Sequence, residues 1–548
     1  MPSLLLLSAL VAVQAGVAQS GTSLASSPTL GAYFPGKKYL PHSLPRFAEM
    51  RNQLPAPILD EKPQYIAMYW KAWDLAFKNF HEPQPGSGFT SQFIDAAFNE
   101  NIFQWDTCFM TMFCNVAHPL VPGIVSLDNF YAKQHPDGEI CREICRATGA
   151  DYDPWVNKEH KPLLSRWGWG RSANAPVIYQ GRLAPETPPQ LTLDALNHPI
   201  LAWAEWESYG VTGDKGRLVM VYEPLKHYYR ALQTYLRQGN GLYLTDWASM
   251  DNSPRNVFLK DGGCAVDTSC EMALFGRNLA AIAEVLGKKE EARRFTDDAD
   301  ALSQTINRLM WDDTRHFYFD LALDGRRSPI KTVAAFWALL AGVASREQAA
   351  ILAAELGNPK TFARAHRVPT LAADEAAYNP AGGYWCGAVW APTTTMVVRG
   401  LTQYGFGALS REIALNDLDM MDRVFQQTGT IWENYAPDAA RPGQPAKADF
   451  VGWSGLGPIL YLLEFGIGLR PDAPKNQLLW EPVFAGRQGC ERYRFNGHVV
   501  SLLAQPAAPE IGKLTLTVKS DGEFTLLLKR QDDLRRFPIR AGEQTFEY

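Results

Sequence analysis

Apolar residues recur along most of this chain at intervals of three and four, the spacing that places them on one face of an α-helix. Ile66, Tyr69, Trp73 and Phe77 mark such a face in a helix predicted over 62–80. Leu218, Val221, Leu225, Leu232 and Tyr235 mark another, capped by Asp214 and interrupted by Pro224. Met272, Phe275, Leu279, Ile282 and Leu286 form a third, with Thr268-Ser269-Cys270-Glu271 spaced as a capping box before it and Gly287 after it. Ala292, Phe295, Ala299, Leu302, Ile306 and Leu309 follow at once, so these two helices are expected to form an antiparallel hairpin. Ser345-Arg346-Glu347-Gln348 opens a further capped helix, 386–405 and 409–427 make another pair, and Trp453 to Phe465 reads as the last helix. Glu205 and Glu207, in the helix opened by Pro199, read as a solvated face.

Past about residue 470 the pattern changes to short runs separated by turn signals such as Ser520-Asp521-Gly522, which predicts a small antiparallel β domain. The expected organisation is a signal peptide over 1–18, an extended Pro-, Ser- and Gly-rich lead-in over 19–60, a helical body over 61–470 and a β-sandwich-like domain over 471–548. The polar, broken stretch 148–192 is too long for an idle connection and is expected to shape a binding site.

Composition narrows the function. The chain has 548 residues, 46% hydrophobic and 20% charged, with a net charge of -5. It is therefore globular, and without a basic run it offers nothing to a nucleic acid. Leu4 to Val13 is apolar but too short to span a bilayer, and Ala15 and Ala18 offer cleavage points, so the protein is expected to be exported, periplasmic or extracellular, without a membrane span. In that compartment Cys264/Cys270 or Cys141/Cys145 could close small disulfide loops. No histidine neighbours these pairs at zinc-site spacing, so neither a metal nor a cofactor is expected; a structural Ca²⁺ is allowed for without ligands placed.

Two helix-breaking stretches carry the candidate chemistry. Thr245-Asp246-Trp247-Ala248-Ser249-Met250-Asp251-Asn252-Ser253-Pro254-Arg255-Asn256 is a loop between two helical patterns, and Asp251 in it reads either as a catalytic acid or as a turn residue bonding its own backbone. Gly429-Thr430-Ile431-Trp432-Glu433-Asn434-Tyr435 presents a second carboxylate beside a tryptophan, 182 positions downstream. Paired carboxylates flanked by aromatic rings are what glycosidic bond cleavage requires. Asp106, beside Trp105, reads as a helix N-cap or as a ligand for sugar hydroxyls. His198, beside Pro199, reads as a structural residue or a sugar contact, and Arg255 as structural or as a group that orients a carboxylate or hydroxyl. Trp105, Trp247, Trp385, Trp390 and Trp432 are core or sugar-stacking residues.

Taken in order, Trp105-Asp106, Asn197-His198-Pro199-Ile200-Leu201, Ser249-Met250-Asp251-Asn252-Ser253-Pro254-Arg255, Tyr384-Trp385-Cys386-Gly387-Ala388-Val389-Trp390, Thr430-Ile431-Trp432-Glu433-Asn434-Tyr435 and Gly452-Trp453-Ser454-Gly455-Leu456 resemble the six-hairpin glycosidases. The resemblance, over about 95–465, is to the clan that unites trehalases with processing α-glucosidases and mannosylglycerate hydrolases. It implies a mainly α fold, an (α/α)6 barrel, with the small C-terminal antiparallel β domain appended. It implies Asp251 as general acid, Glu433 as general base, and Asp106, Trp385 and Trp390 at positions that line the sugar pocket. Trp105, His198, Trp247, Asn252, Arg255 and Trp432, read from their place in or beside these motifs, complete the expected substrate-binding set. The expected activity is inverting, exo-acting hydrolysis of an α-linked sugar in an oligosaccharide or glycoside. Departures from the family pattern (Trp247-Ala248-Ser249 for Glu-Ser-Gly, no Gln-Pro-Pro near Asn197, Cys386 for Arg) fall near sugar-contacting positions and bear on substrate identity. Two alternatives are a polysaccharide lyase on a similar toroid, which would need basic residues that the candidate loops do not show, and a carbohydrate-binding protein without catalysis, which would suit a chain missing one carboxylate.

Overall fold

The computed structural model describes residues 30–158, 190–196, 198–245, 250–260, 262–507, 513–530 and 533–548. The stretch read as a signal peptide, most of 148–192, and Asp246 and Trp247 lie outside the described residues. The body is helix-rich and the C-terminal part is built of strands, with one continuous apolar core running through both.

The predicted helices form where the apolar spacing places them. Pro63–Ala76 buries Tyr69 and Trp73 completely, its proline sitting in the first turn where an N–H is not needed. Lys215–Leu236 buries its whole predicted stripe, and the Asp214 side chain accepts from the Arg217 N–H at 3.0 Å. Val266–Val285 and Lys289–Met310 pack as the expected hairpin through Gly287, whose φ of 77° a side chain would strain. At Ser345 the capping box is complete: Gln348 N–H donates to Ser345 Oγ at 3.1 Å and Ser345 N–H donates to Gln348 Oε1 at 2.8 Å.

Three expectations are corrected. The helix Val266–Val285 starts before Thr268 and has no side-chain cap, so Thr268–Glu271 is helix interior and Glu271 is buried rather than capping. Glu205 is no solvated residue. It lies buried and accepts from Arg217 Nε (2.6 Å), Arg217 Nη2 (2.7 Å) and the Tyr131 hydroxyl (3.0 Å), while Arg217 Nη1 reaches Asp128 at 3.0 Å. The paired network offsets part of the desolvation penalty that a lone buried carboxylate would carry in full. Glu207 likewise accepts from Trp203 Nε1 at 3.1 Å and Arg399 Nε at 3.2 Å. All eight cysteines are free, so neither proposed disulfide is present.

The C-terminal strands form two sheets. One has the order Ala56–Leu59, Gln488–Phe495, His498–Pro506, Leu514–Ser520, Gly542–Glu547, antiparallel throughout. The other runs Leu469–Asp472, Gln477–Trp480, Phe524–Arg530, Asp533–Ile539, and its central pair is parallel, against the antiparallel expectation. The stretch read as an extended lead-in supplies an edge strand, Ala56–Leu59, to the first sheet. Among the described residues no helix is long and apolar enough to cross a membrane.

Candidate active site

Five of the six motifs that were separate in sequence converge on one cavity of about 270 Å³, while Glu433, from the sixth, is not among the lining residues and reaches the site through Tyr384. Trp105, Asp106, His198, Asp251, Trp385 and Trp390 all line the cavity. Asp106 sits in the first turn of Gln104–Cys114, whose N-cap position is Phe103, so its carboxylate is free of the capping role and faces the cavity. Burial pushes its carboxyl up to about 7, with the Arg142 guanidinium pulling against that rise. It therefore exchanges its proton near neutral pH and can both donate to and accept from a hydroxyl.

Asp251 lies in a tight turn, with Ser253 N–H donating to the Met250 carbonyl at 2.8 Å and Asn256 Nδ2 to the same carbonyl at 2.9 Å. Asp251 is an exposed residue at the cavity wall, yet the protein atoms crowded about its carboxyl desolvate it and raise its pKa, with Arg142 and its own backbone N–H opposing. That is the direction a general acid needs.

Glu433 is held from three sides. The Tyr384 hydroxyl donates to its Oε1 and the Lys447 N–H to its Oε2, each at 3.0 Å, while Trp453 Nε1 donates to its backbone carbonyl at 3.1 Å. Burial raises its pKa, and the Lys447 and Tyr384 donors hold the rise down, with the Asp251 charge adding to it. Tyr384 lines the cavity beside Asp251 and Asp106 and bonds Glu433, so it links the Glu433 carboxyl to the cavity wall. Removing its hydroxyl by Tyr384→Phe should raise the Glu433 pKa further. A base works ionised, so activity falls as pH drops through that pKa, and the acid limb of the kcat/KM profile should move to higher pH in the variant. A limb that stays in place would contradict Glu433 as the base.

The aromatic wall is built as much as it is exposed. Trp385 and Trp390 stack at 4.2 Å with an interplanar angle of 6°, and Trp390 leans on Trp453 at 5.6 Å. Trp390 is almost wholly buried, so it serves core and cavity at once.

Three expected sugar contacts have other work. Arg255 is fully buried and does not line the cavity. Its Nη1 and Nη2 donate to Asp267 at 2.5 and 3.0 Å, and its Nε to Asp320 at 2.9 Å. Burial would raise the Asp267 carboxyl, but this guanidinium holds it below the usual range. Arg255→Leu would leave two buried carboxylates unpaired, and a loss of about 3–5 kcal/mol is expected in urea unfolding; a loss below about 1 kcal/mol would contradict the clamp. Asn252 is a latch: its Nδ2 donates to the Gly383 carbonyl and its Oδ1 accepts from the Trp385 N–H, both at 2.9 Å. It thereby fixes the Asp251 turn to the Tyr384–Trp385 loop. Trp432 is half-buried outside the cavity lining, its Nε1 donating to Thr428 Oγ1 at 3.1 Å.

Sequence reasoning gave no role to Arg142, Tyr384, Asp267 or Trp337, all of which line the cavity. Tyr384 stood in a quoted motif. Arg142 stood in none. It arrives because Glu143–Cys145 pairs with Asn101–Phe103, the strand that leads into the Asp106 helix.

With this geometry in place, comparison with known proteins decides the family. A family model described as a mannosylglycerate hydrolase MGH1-like glycoside hydrolase domain matches residues 173–454, just over half of the chain. The chain belongs to this family. It is thus a glycoside hydrolase of the mannosylglycerate hydrolase-like group, acting on a glycoside. Mannosylglycerate hydrolase of Thermus thermophilus is 28% identical over 194 residues, 35% of this chain and 45% of that protein. A probable mannosyl-oligosaccharide glucosidase of Schizosaccharomyces pombe is 23% identical over 229 residues, 38% of this chain and 28% of the relative. The chain spans less than half the length of each of these two. The crystal structure of the GH63 mannosylglycerate hydrolase from Thermus thermophilus in complex with glucose has a TM-score of 0.53 at 20% identity, covering 72% of this chain and 99% of that one. At that identity the likeness concerns the fold. Membership in a hydrolase family also answers the lyase alternative, even though Arg142 supplies the basic group in the cavity that the sequence reading missed.

Proposed function

We propose that this glycoside hydrolase is an inverting, exo-acting enzyme for an α-linked sugar, with Asp251 as general acid and Glu433 as general base, on an (α/α)6 barrel. The observation that carries this reading is the position of Tyr384: its hydroxyl bonds Glu433 while its ring lines the same cavity wall that Asp251 faces. An acetal breaks when its leaving oxygen gains a proton as the anomeric carbon becomes cationic. Asp251, with its raised pKa and only its own backbone N–H bonded to its carboxyl, is the group able to give that proton. Glu433, carrying two donated hydrogen bonds, is the better anion and takes the proton of the attacking water.

Inversion needs the two carboxyls on opposite faces of the sugar with room for water, and the two loops approach from separate parts of the chain. The cavity is small for a ligand site, which suits the end of a short substrate rather than the middle of a polymer. Stacked Trp385 and Trp390 offer a flat apolar surface to a sugar ring, and Asp106 offers a carboxyl to its hydroxyls.

Turnover of a panel of α- and β-linked mannosides and glucosides, mannosylglycerate and mannosyl-oligosaccharides among them, tests this. Release of a single terminal sugar from an α-linked member is expected. Cleavage in the interior of oligosaccharides, or of β-linked members alone, would contradict it.

A further inference from the structure

The turn that carries Asp251 and the loop that carries Tyr384 meet at one side chain. Asn252 does not line the cavity. Its amide spans the two peptide groups on either side of Tyr384: Nδ2 donates to the Gly383 carbonyl and Oδ1 accepts from the Trp385 N–H, both at 2.9 Å. A third contact runs the other way, from Cys386 Sγ to the Asn252 carbonyl at 3.3 Å. Holding the carbonyl before a residue and the N–H after it fixes both peptide planes, and with them that residue's φ and ψ.

Tyr384 needs such a restraint. Its φ is 61°, in the left-handed region that residues with a side chain avoid, and a conformation of this kind persists where the surroundings impose it. The loop's own bonds do part of the work, the Tyr384 carbonyl accepting from the Ala388 N–H at 3.1 Å and from Trp390 Nε1 at 3.4 Å. From this backbone the Tyr384 hydroxyl reaches Glu433 Oε1 at 3.0 Å. One line of contacts thus runs from the residue after Asp251, through the peptides around Tyr384, to the carboxylate of Glu433.

Given the acid–base reading on which this rests, we propose that Asn252 is a positioning residue for the base: although it adjoins the acid in sequence, it acts on Glu433 by holding Tyr384 in the conformation that brings its hydroxyl to Oε1. The same clasp keeps the acid turn and the partner of the base in one register. Without it, Tyr384 can relax toward negative φ, and its ring turns away with the Cα–Cβ bond. Glu433 then keeps the Lys447 N–H on Oε2 at 3.0 Å but loses the bond on Oε1, so the carboxylate is loosened rather than released. A base held by one bond instead of two is less often aligned with the attacking water.

The test is the kcat and KM of Asn252→Ala on the glycosyl fluoride of whichever sugar the glycoside panel releases. That leaving group departs without a proton, so this is the substrate on which loss of the neighbouring acid matters least. The fluoride kcat should nevertheless fall about tenfold, the worth of one hydrogen bond to a charged group, while KM changes less than about twofold. Asn252→Ser, too short to span both peptides, should behave alike. Tyr384→Phe should cost a similar factor, and adding Asn252→Ala to it should cost less than about twofold more, because the hydroxyl that Asn252 positions is already gone. An unchanged fluoride kcat would overturn the proposal, as would a rise in KM alone, which marks a sugar contact. A full further loss on top of Tyr384→Phe would also overturn it, since Asn252 would then act through the Trp385 wall. Normal turnover of the fluoride by Glu433→Gln would instead remove the base reading itself, so the two failures are distinguishable.

Discussion

Asp251→Asn is expected to lower kcat/KM on a glycoside with a sugar leaving group by about 10²–10⁴, the range that positioned proton transfer supplies. An amide of the same shape cannot protonate the leaving oxygen. The loss should shrink sharply on a glycosyl fluoride, whose leaving group departs without a proton. Because the turn is held by Asn252, Ser253 and Asn256 rather than by the Asp251 side chain, the melting temperature should stay close to that of the unaltered enzyme. Equal losses on both substrates would remove Asp251 from the acid role, and near-normal turnover on both would remove it from the site.

Glu433→Gln is expected to cost a comparable factor, about 10²–10⁴, but on the fluoride as well as the ordinary glycoside. Water must be activated whichever group leaves. The variant keeps one acceptor for the Tyr384 hydroxyl or the Lys447 N–H and loses the charge that makes both bonds strong, so a small fall in melting temperature accompanies the kinetic loss. The contrast between the two variants across the two substrates separates acid from base without reference to pH. A fluoride turned over normally by Glu433→Gln would contradict the assignment.

The sequence was informative wherever a residue's role is set by its near neighbours. The stripe Ala292, Phe295, Ala299, Leu302 and Ile306 is buried because helical spacing alone puts those residues on one side. Ser345 and Gln348 cap a helix because both partners lie within one turn. Asp251 and Glu433 were visible as carboxylates in helix-breaking, tryptophan-bearing stretches, and their motif order pointed to the family. Roles set by distant partners were not visible. Glu271 looked like the end of a capping box because its spacing to Thr268 fits one; its actual partner is His198, 73 positions upstream. Glu205 looked solvated until Arg217 and Tyr131 closed on it. Arg255 looked like a substrate ligand because it sits four residues from Asp251, yet Asp320, 65 positions on, claims its guanidinium from the other side. Arg142 lacked any local mark and reaches the cavity through strand pairing.

The most direct measurement is the configuration of the sugar at the moment of release, followed by proton NMR in the first minutes of hydrolysis, before mutarotation scrambles the anomers. Direct attack of a water activated by Glu433 on an α-glycoside gives the β-anomer first, with the α-anomer growing in only as the free sugar equilibrates. First appearance of the α-anomer would mean retention through a covalent intermediate, and would contradict Asp251 and Glu433 as an acid–base pair acting on water.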